Sequence, residues 1–299
     1  MQKSPLAPVC FPKLPVVDGV TFATIAAGVR YSGRTDVMLA KLTRGTSIAG
    51  VFTKSTTRAA PVLDCQAKLG GDSTTSAAIL VNSGNANAFT GKNGQTSVTA
   101  ICDAVAEACD VPVNRVFTSS TGVIGEPLAH DRIIENLQTL NNTQSADDVE
   151  AAANAIMTTD TYAKGSTKTV QIDGQSVQIV GIAKGSGMIA PDMATMLVYI
   201  FTDAVFEQTA LQQLVSDTSD RTFNCITVDS DTSTSDSLLM AATGASGVNA
   251  QDNVDFAAAL HKLMLDLSQQ VVRDGEGATK LVEIAVTGAV DDSVARIHA

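Results

Sequence analysis

An α/β fold is predicted by this sequence: strand-forming runs alternate with helical patterns, Gly or Asn turns separate them, and the composition is that of a compact protein. Hydrophobic residues make up 44% and charged residues 17% of 299 positions. That is enough apolar surface for a substantial core in one large or two moderate domains.

The elements follow in order. Residues 36–42, 47–53 and 77–81 read as strands, because their apolar and β-branched residues run together or alternate. From Ser97 to Cys109, Val98, Ile101, Val105 and Cys109 recur at helical spacing, so an amphipathic helix is expected. Residues 116–120 form a strand ending in Thr121-Gly122, and 133–140 a short helix. Ser145-Ala-Asp-Asp148 reads as the cap of a helix running to Met157. Strands 170–172 and 177–180 flank Asp173-Gly174, a hairpin signal. Then come a strand (196–202), a helix (206–216), a strand (223–228), helices at 235–242 and 254–272, and a strand at 281–286. From Asp291 the chain begins like a capped helix and stops at Ala299.

Charge and cysteine usage exclude several functions. The net charge is −11 without a basic stripe, so nucleic acid would be repelled. Five scattered cysteines without a C-x-x-C pair argue against a disulfide framework and a zinc site. The amino terminus has no sustained apolar region, so neither a secretory signal nor a membrane span is expected, and a soluble cytoplasmic protein follows. His130, His261 and His298 have no spacing suited to a metal or a Ser/His pair.

The most informative segment runs from Gly181 to Phe201. Thr195 stands at the head of the apolar run Met196–Phe201, and Gly185, Gly187 and Pro191 shape a constrained loop before it. A threonine hydroxyl is a weak nucleophile. Breaking the Ala194–Thr195 bond would free an α-amine, of unperturbed pKa about 7.7–8.0, to act as its own general base. Gly185-Ser-Gly187-Met-Ile-Ala190 also matches a dinucleotide fingerprint, but Pro191 and a strand follow where a helix should open. Three further segments are candidates. Thr121-Gly122 offers a hydroxyl and an accessible backbone N–H for an oxyanion. The cluster Asn82–Asn87 follows a buried strand, where active-site loops lie. Asp274-Gly-Glu276-Gly277 pins a carboxylate between glycines, or simply ends a helix.

Taken in order, these segments resemble the ornithine acetyltransferase (glutamate N-acetyltransferase) family of bifunctional arginine-biosynthesis enzymes. The resemblance is carried by Val81-Asn-Ser-Gly-Asn-Ala-Asn-Ala88, Ser120-Thr-Gly-Val-Ile-Gly125, Ile156-Met-Thr-Thr-Asp-Thr161, Lys184-Gly-Ser-Gly-Met-Ile-Ala-Pro191, Ala194-Thr-Met-Leu197 and Asp274-Gly-Glu-Gly-Ala278. It implies an αββα sandwich of mixed sheets and a precursor that cleaves itself between Ala194 and Thr195. The products would be an α chain (1–194) and a β chain (195–299), assembled as a dimer of αβ units. Thr195 would carry the acetyl group from N-acetylornithine to glutamate, Thr121 and Gly122 would hold the oxyanion, and Thr158, Lys184, Thr195 and Glu276 would contact substrate. No metal or cofactor is implied, although acetyl-coenzyme A could serve as a donor. A self-processing amidase or aminopeptidase of the same fold is the alternative; such enzymes generally use serine. The sequence departs from the family at Ser230, where Gly is usual, and at Asp236, where Asn is usual. Family members also continue beyond residue 299, to a late asparagine and hydroxyl residue at the substrate site, so a C-terminally truncated chain is expected.

Overall fold

The structure, a computed structural model, describes residues 2–190 and 196–298. In chain order its elements are β1 (Val20–Ile25), β2 (Val37–Leu42), β3 (Ser47–Phe52), α1 (Ala60–Lys68), β4 (Ala77–Asn85), α2 (Gly91–Cys109), β5 (Val116–Val123), α3 (His130–Ile134), α4 (Leu137–Asn142) and α5 (Val149–Ala155). They continue with β6 (Lys164–Ile172), β7 (Gln175–Lys184), β8 (Leu197–Thr202), α6 (Gln208–Asp220), β9 (Ser237–Ala242), α7 (Val254–Arg273) and α8 (Asp292–His298).

Two mixed sheets result, one ordered β1-β2-β4-β5 and the other β3-β9-β8-β7-β6. In the first, β4 and β5 are parallel; in the second, β8 and β9 are. Side chains that alternate along each strand build three apolar layers. Leu197, Tyr199 and Phe201 of β8 and Leu239 and Ala241 of β9 face the first sheet, where they meet Phe22, Met38 and Ile79. Val198, Ile200, Leu238 and Met240 face the other way and pack against Leu260, Leu263 and Leu267 of α7. Outside the first sheet, Val98, Ile101 and Val105 of α2 cover Leu39, Ala78 and Leu80. Helix, sheet, sheet and helix therefore stack as an αββα sandwich. Each fully buried Leu or Phe in these layers contributes about 1.5–3 kcal/mol. Among the described residues, no helix is long and apolar enough to cross a membrane.

Several sequence expectations need correction. The helix expected at 235–242 is instead strand β9 from Ser237: Leu238 to Ala241 favour helix by propensity, but the segment lies between β3 and β8 with all its side chains buried. Burial on both faces overrides propensity. Residues 223–228 are a 3₁₀ turn (Phe223–Cys225) and irregular chain; the Val228 amide donates to the Ile189 carbonyl at 2.9 Å rather than into a sheet. The expected helix at 133–140 is broken into α3 and α4. Ser145 does not cap α5; its backbone exchanges two 2.8 Å hydrogen bonds with Phe22. Residues 281–286 pair with no described strand, and Val282 and Ile284 are exposed. Lacking a ladder partner, a β-prone run satisfies its backbone groups in water. Strand β1 and helix α1 were not foreseen. The hairpin turn is as expected, with positive φ at Asp173 and Gly174.

Candidate active site

The parallel strands β4 and β5 end together, and the register pairs Ser83 with Thr121 and Gly84 with Gly122 before a bulge at Asn85. At Gly122 φ is +130°, and a Cβ there would come within 2.4 Å of the Gly84 carbonyl carbon, so only glycine fits. Thr121 beside it is buried. Its Oγ1 accepts a 3.1 Å hydrogen bond from Lys184 Nζ, which arrives from the end of β7 in the other sheet. Lys184 in turn pairs with Leu197 at the start of β8. The expected oxyanion pair, the expected substrate lysine and the strand that follows residue 195 thus converge. Thr195 and Ala194 themselves lie outside the described residues.

The loop after Lys184 is clamped along its length. The Gly185 amide donates to Asp160 Oδ1 (2.6 Å), the Ser186 hydroxyl to the Asp274 carbonyl (2.6 Å), and the Glu276 amide to the Ser186 carbonyl (3.1 Å). Both oxygens of Asp229 accept amides of the same loop, from Met188 (2.6 Å) and Ile189 (2.9 Å). The fingerprint-like Gly185–Ala190 stretch is therefore a loop whose Gly185, Met188 and Ile189 amides are engaged by the chain's own carboxylates. Its permissive conformation falls at Met188 (φ +59°) rather than at Gly187. A Cβ at Gly187 would lie 2.7 Å from Glu276 Oε1, so a side chain there would push that carboxylate aside.

Beneath the loop is a buried charge cluster. Lys164 Nζ lies 2.6 Å from Asp160 Oδ1 and 2.6 Å from Asp274 Oδ2, with all three side chains sealed from water. Burial works to raise Asp160, but Lys164, Lys184 and the Gly185 amide outweigh it and hold the carboxyl well below the usual range. Burial lowers Lys184, Asp160 opposes that fall and Lys164 adds to it. Thr158, an expected substrate contact, joins the cluster when its amide donates to Asp160 Oδ2 at 3.0 Å. It also borders a cleft of about 420 Å³ lined by Arg34, Thr35, Asn154, Met157, Asp160 and Thr161.

Asp236 is fully buried, and its Oδ1 accepts the Met196 amide at 2.7 Å, on the peptide joined to Thr195. Among the described residues its Oδ2 has no partner at hydrogen-bond geometry. Burial pushes this carboxyl well above its ordinary range, with the Met196 amide, Ser233 and Lys184 opposing.

Sequence reasoning gave no role to Asp160, Lys164 or Asp229. It took Asp274-Gly-Glu276 as a helix end carrying one carboxylate of interest, whereas Asp274, the cap of α7, is the buried one and Glu276 is exposed. The only available signal was the Asp160/Lys164 spacing in a sparsely charged chain. The asparagine cluster is structural: Asn82 Nδ2 donates to the Asn85 carbonyl, Asn85 Nδ2 to the Glu126 carbonyl and Asn87 Nδ2 to the Gly94 carbonyl. The structure does make one Ser/His contact that spacing did not suggest, Ser97 Oγ to His130 Nδ1 at 3.0 Å. The Ser97 hydroxyl donates to the Asn93 carbonyl of its own helix, so it is a packing contact in the outer layer.

Comparison with known proteins bears on the family and the fold. The sequence profile of the ArgJ family matches residues 21–299. The arginine biosynthesis bifunctional protein ArgJ of Ruegeria pomeroyi is 70% identical over 99% of this chain and 72% of its own length; that of Agrobacterium fabrum is 50% identical over 98% and 73%. The solved ArgJ of Bacillus halodurans superposes with TM-score 0.53 at 32% identity, covering 58% of this chain and 91% of that one. Ornithine acetyltransferase of Mycobacterium tuberculosis, solved with ornithine, gives 0.51 at 30% identity over 63% and 95%. The family match over residues 21–299, and relatives at this level of identity across nearly the whole sequence, place the chain in the ArgJ family.

Proposed function

We propose that this protein transfers the acetyl group of N-acetylornithine to glutamate, in arginine biosynthesis, through an acetyl-threonine at Thr195. The observation that carries the site assignment is the contact between Lys184 Nζ and Thr121 Oγ1 at 3.1 Å, beside a Gly122 that tolerates no side chain. An ammonium that donates to Oγ1 leaves the threonine's own O–H free to donate elsewhere. With the Gly122 N–H it makes a two-donor site for a tetrahedral oxyanion.

The scheme begins with maturation. Thr195 Oγ attacks the carbonyl carbon of Ala194, the peptide bond breaks, and hydrolysis of the resulting ester leaves Thr195 with a free α-amine. In turnover that amine takes the hydroxyl proton as Oγ attacks the acetyl carbonyl. The intermediate collapses, the acetamide C–N bond breaks, and the departing ornithine takes the proton. Glutamate then attacks the ester by the reverse path. Lys184 supplies positive charge at the site, Glu276 a carboxylate suited to the ornithine ammonium, and Thr158 a hydroxyl at the rim of the cleft. Apart from the water that hydrolyses the maturation ester, the catalytic groups are those of the chain itself; acetyl-coenzyme A enters the proposal only as a second donor substrate. Cytoplasmic location and assembly as a dimer of cleaved αβ units belong to the same proposal.

Acetyl exchange tests it. Incubation with labelled N-acetylornithine and glutamate should give N-acetylglutamate and ornithine in equal amounts. Free acetate in place of N-acetylglutamate would make the protein a hydrolase and defeat the reading.

A further inference from the structure

The buried cluster beneath the site does not balance within itself. Asp160 and Asp274 bring two negative charges, and Lys164, 2.6 Å from each, brings one positive charge. All three side chains are sealed from water, where an uncompensated charge is costly. Lys184 is a further buried cation, and Asp160 is its foremost favourable charge, with Lys164 and Arg34 repelling it and Asp236 attracting it. Its ammonium is nevertheless hydrogen bonded to Thr121, and Asp160 Oδ1 is occupied by Lys164 Nζ and the Gly185 amide.

We propose that Lys164 is a positioning residue for acetyl transfer: by occupying Asp160 and Asp274 it keeps the Lys184 ammonium on Thr121 instead of letting it collapse onto Asp160. Without Lys164, two buried carboxylates would face one cation. Lys184 would be drawn to Asp160, and the Thr121 hydroxyl would lose the donor that sets its orientation. The same strut ties the substrate segments together, because Asp160 holds the Thr158 amide and the backbone of Asp274 holds Ser186, on which the Glu276 amide rests.

The inference rests on the acetyl-transfer reading, and its test separates the two. The Thr195 amine must be neutral to act as base, so it sets the acidic limb of the rate profile, while loss of the Lys184 charge sets the alkaline limb. The profile is measured for wild type, Lys164→Met, Asp274→Asn and the double variant. Removing the like charge at 164 should move the alkaline limb up, and removing the negative charge at 274 should move it down. The double variant, balanced again, should fall between them. Lys164→Met should also lose about tenfold or more in kcat, and Lys164→Arg should recover much of it. Rates that fall with the limbs unmoved, or limbs that move in the same direction, would overturn the proposal and leave Lys164 a packing residue. If Lys164→Met is insoluble, the direction of the Asp274→Asn shift decides. Failure of the wild type to exchange acetyl would instead refute the acetyl-transfer reading.

Discussion

At residue 236 a buried carboxyl accepts the Met196 amide on one oxygen, and the other has no partner among the described residues. Burial raises its pKa, so the stability it contributes is complete below about pH 3.9 and is lost as pH rises through the folded-state value. Asp236→Asn keeps an acceptor for Met196 and removes the titration. The variant should therefore match wild type in acid and be more stable at pH 8, each unit of raised pKa being worth about 1.4 kcal/mol. Denaturant midpoints at both pH values check this; a variant no more stable at pH 8 than wild type refutes it. Gly187 makes a second residue-scale case. A methyl group there would displace Glu276, the carboxylate proposed to hold the ornithine ammonium. Gly187→Ala should raise KM for N-acetylornithine by about tenfold, some 1.4 kcal/mol, with a smaller change in kcat. An unchanged KM would remove Glu276 from the donor site. At this scale the sequence was half legible. Thr121, Gly122, Thr158, Lys184 and Glu276 could be named from ordered motifs, but the carboxylates that hold them could not, because burial of a charge is decided by elements distant in the chain.

Among the elements, those with a clean local signal were found and those defined by their neighbours were not. The alternating faces of β8 were anticipated as a buried strand. Its parallel partner β9 was not, because Leu238-Leu-Met-Ala241 carries helix propensity and becomes strand only between β3 and β8. Segment 281–286 has strand composition but no described partner, which is the same lesson reversed. The clamp on the loop before residue 191 ends in a turn where Ser230 holds φ +64°, a conformation that costs a non-glycine residue about 1–2 kcal/mol. Glycine, the usual family residue there, removes that cost. After the extra freedom glycine gives the unfolded chain is subtracted, Ser230→Gly should stabilise by roughly 0.5–1 kcal/mol, read as a higher urea midpoint. A lower midpoint would mean the hydroxyl matters more than the backbone conformation.

For the whole molecule, the sandwich does one thing for chemistry: it brings the end of β5 in one sheet against the end of β7 in the other, so that Thr121 and Lys184 meet across the core. That meeting follows from the two apolar inner faces packing together, and the continuous apolar runs made the burial of the strands, though not their partners, readable in advance. The account predicts that this converging point serves a threonine freed at residue 195. Mass and N-terminal sequence of the acetylated species, captured after adding labelled N-acetylornithine without glutamate, test this directly. The label should sit on a fragment beginning at Thr195. A label on any other residue, or acetyl exchange by a chain whose 194–195 bond is intact, would contradict it.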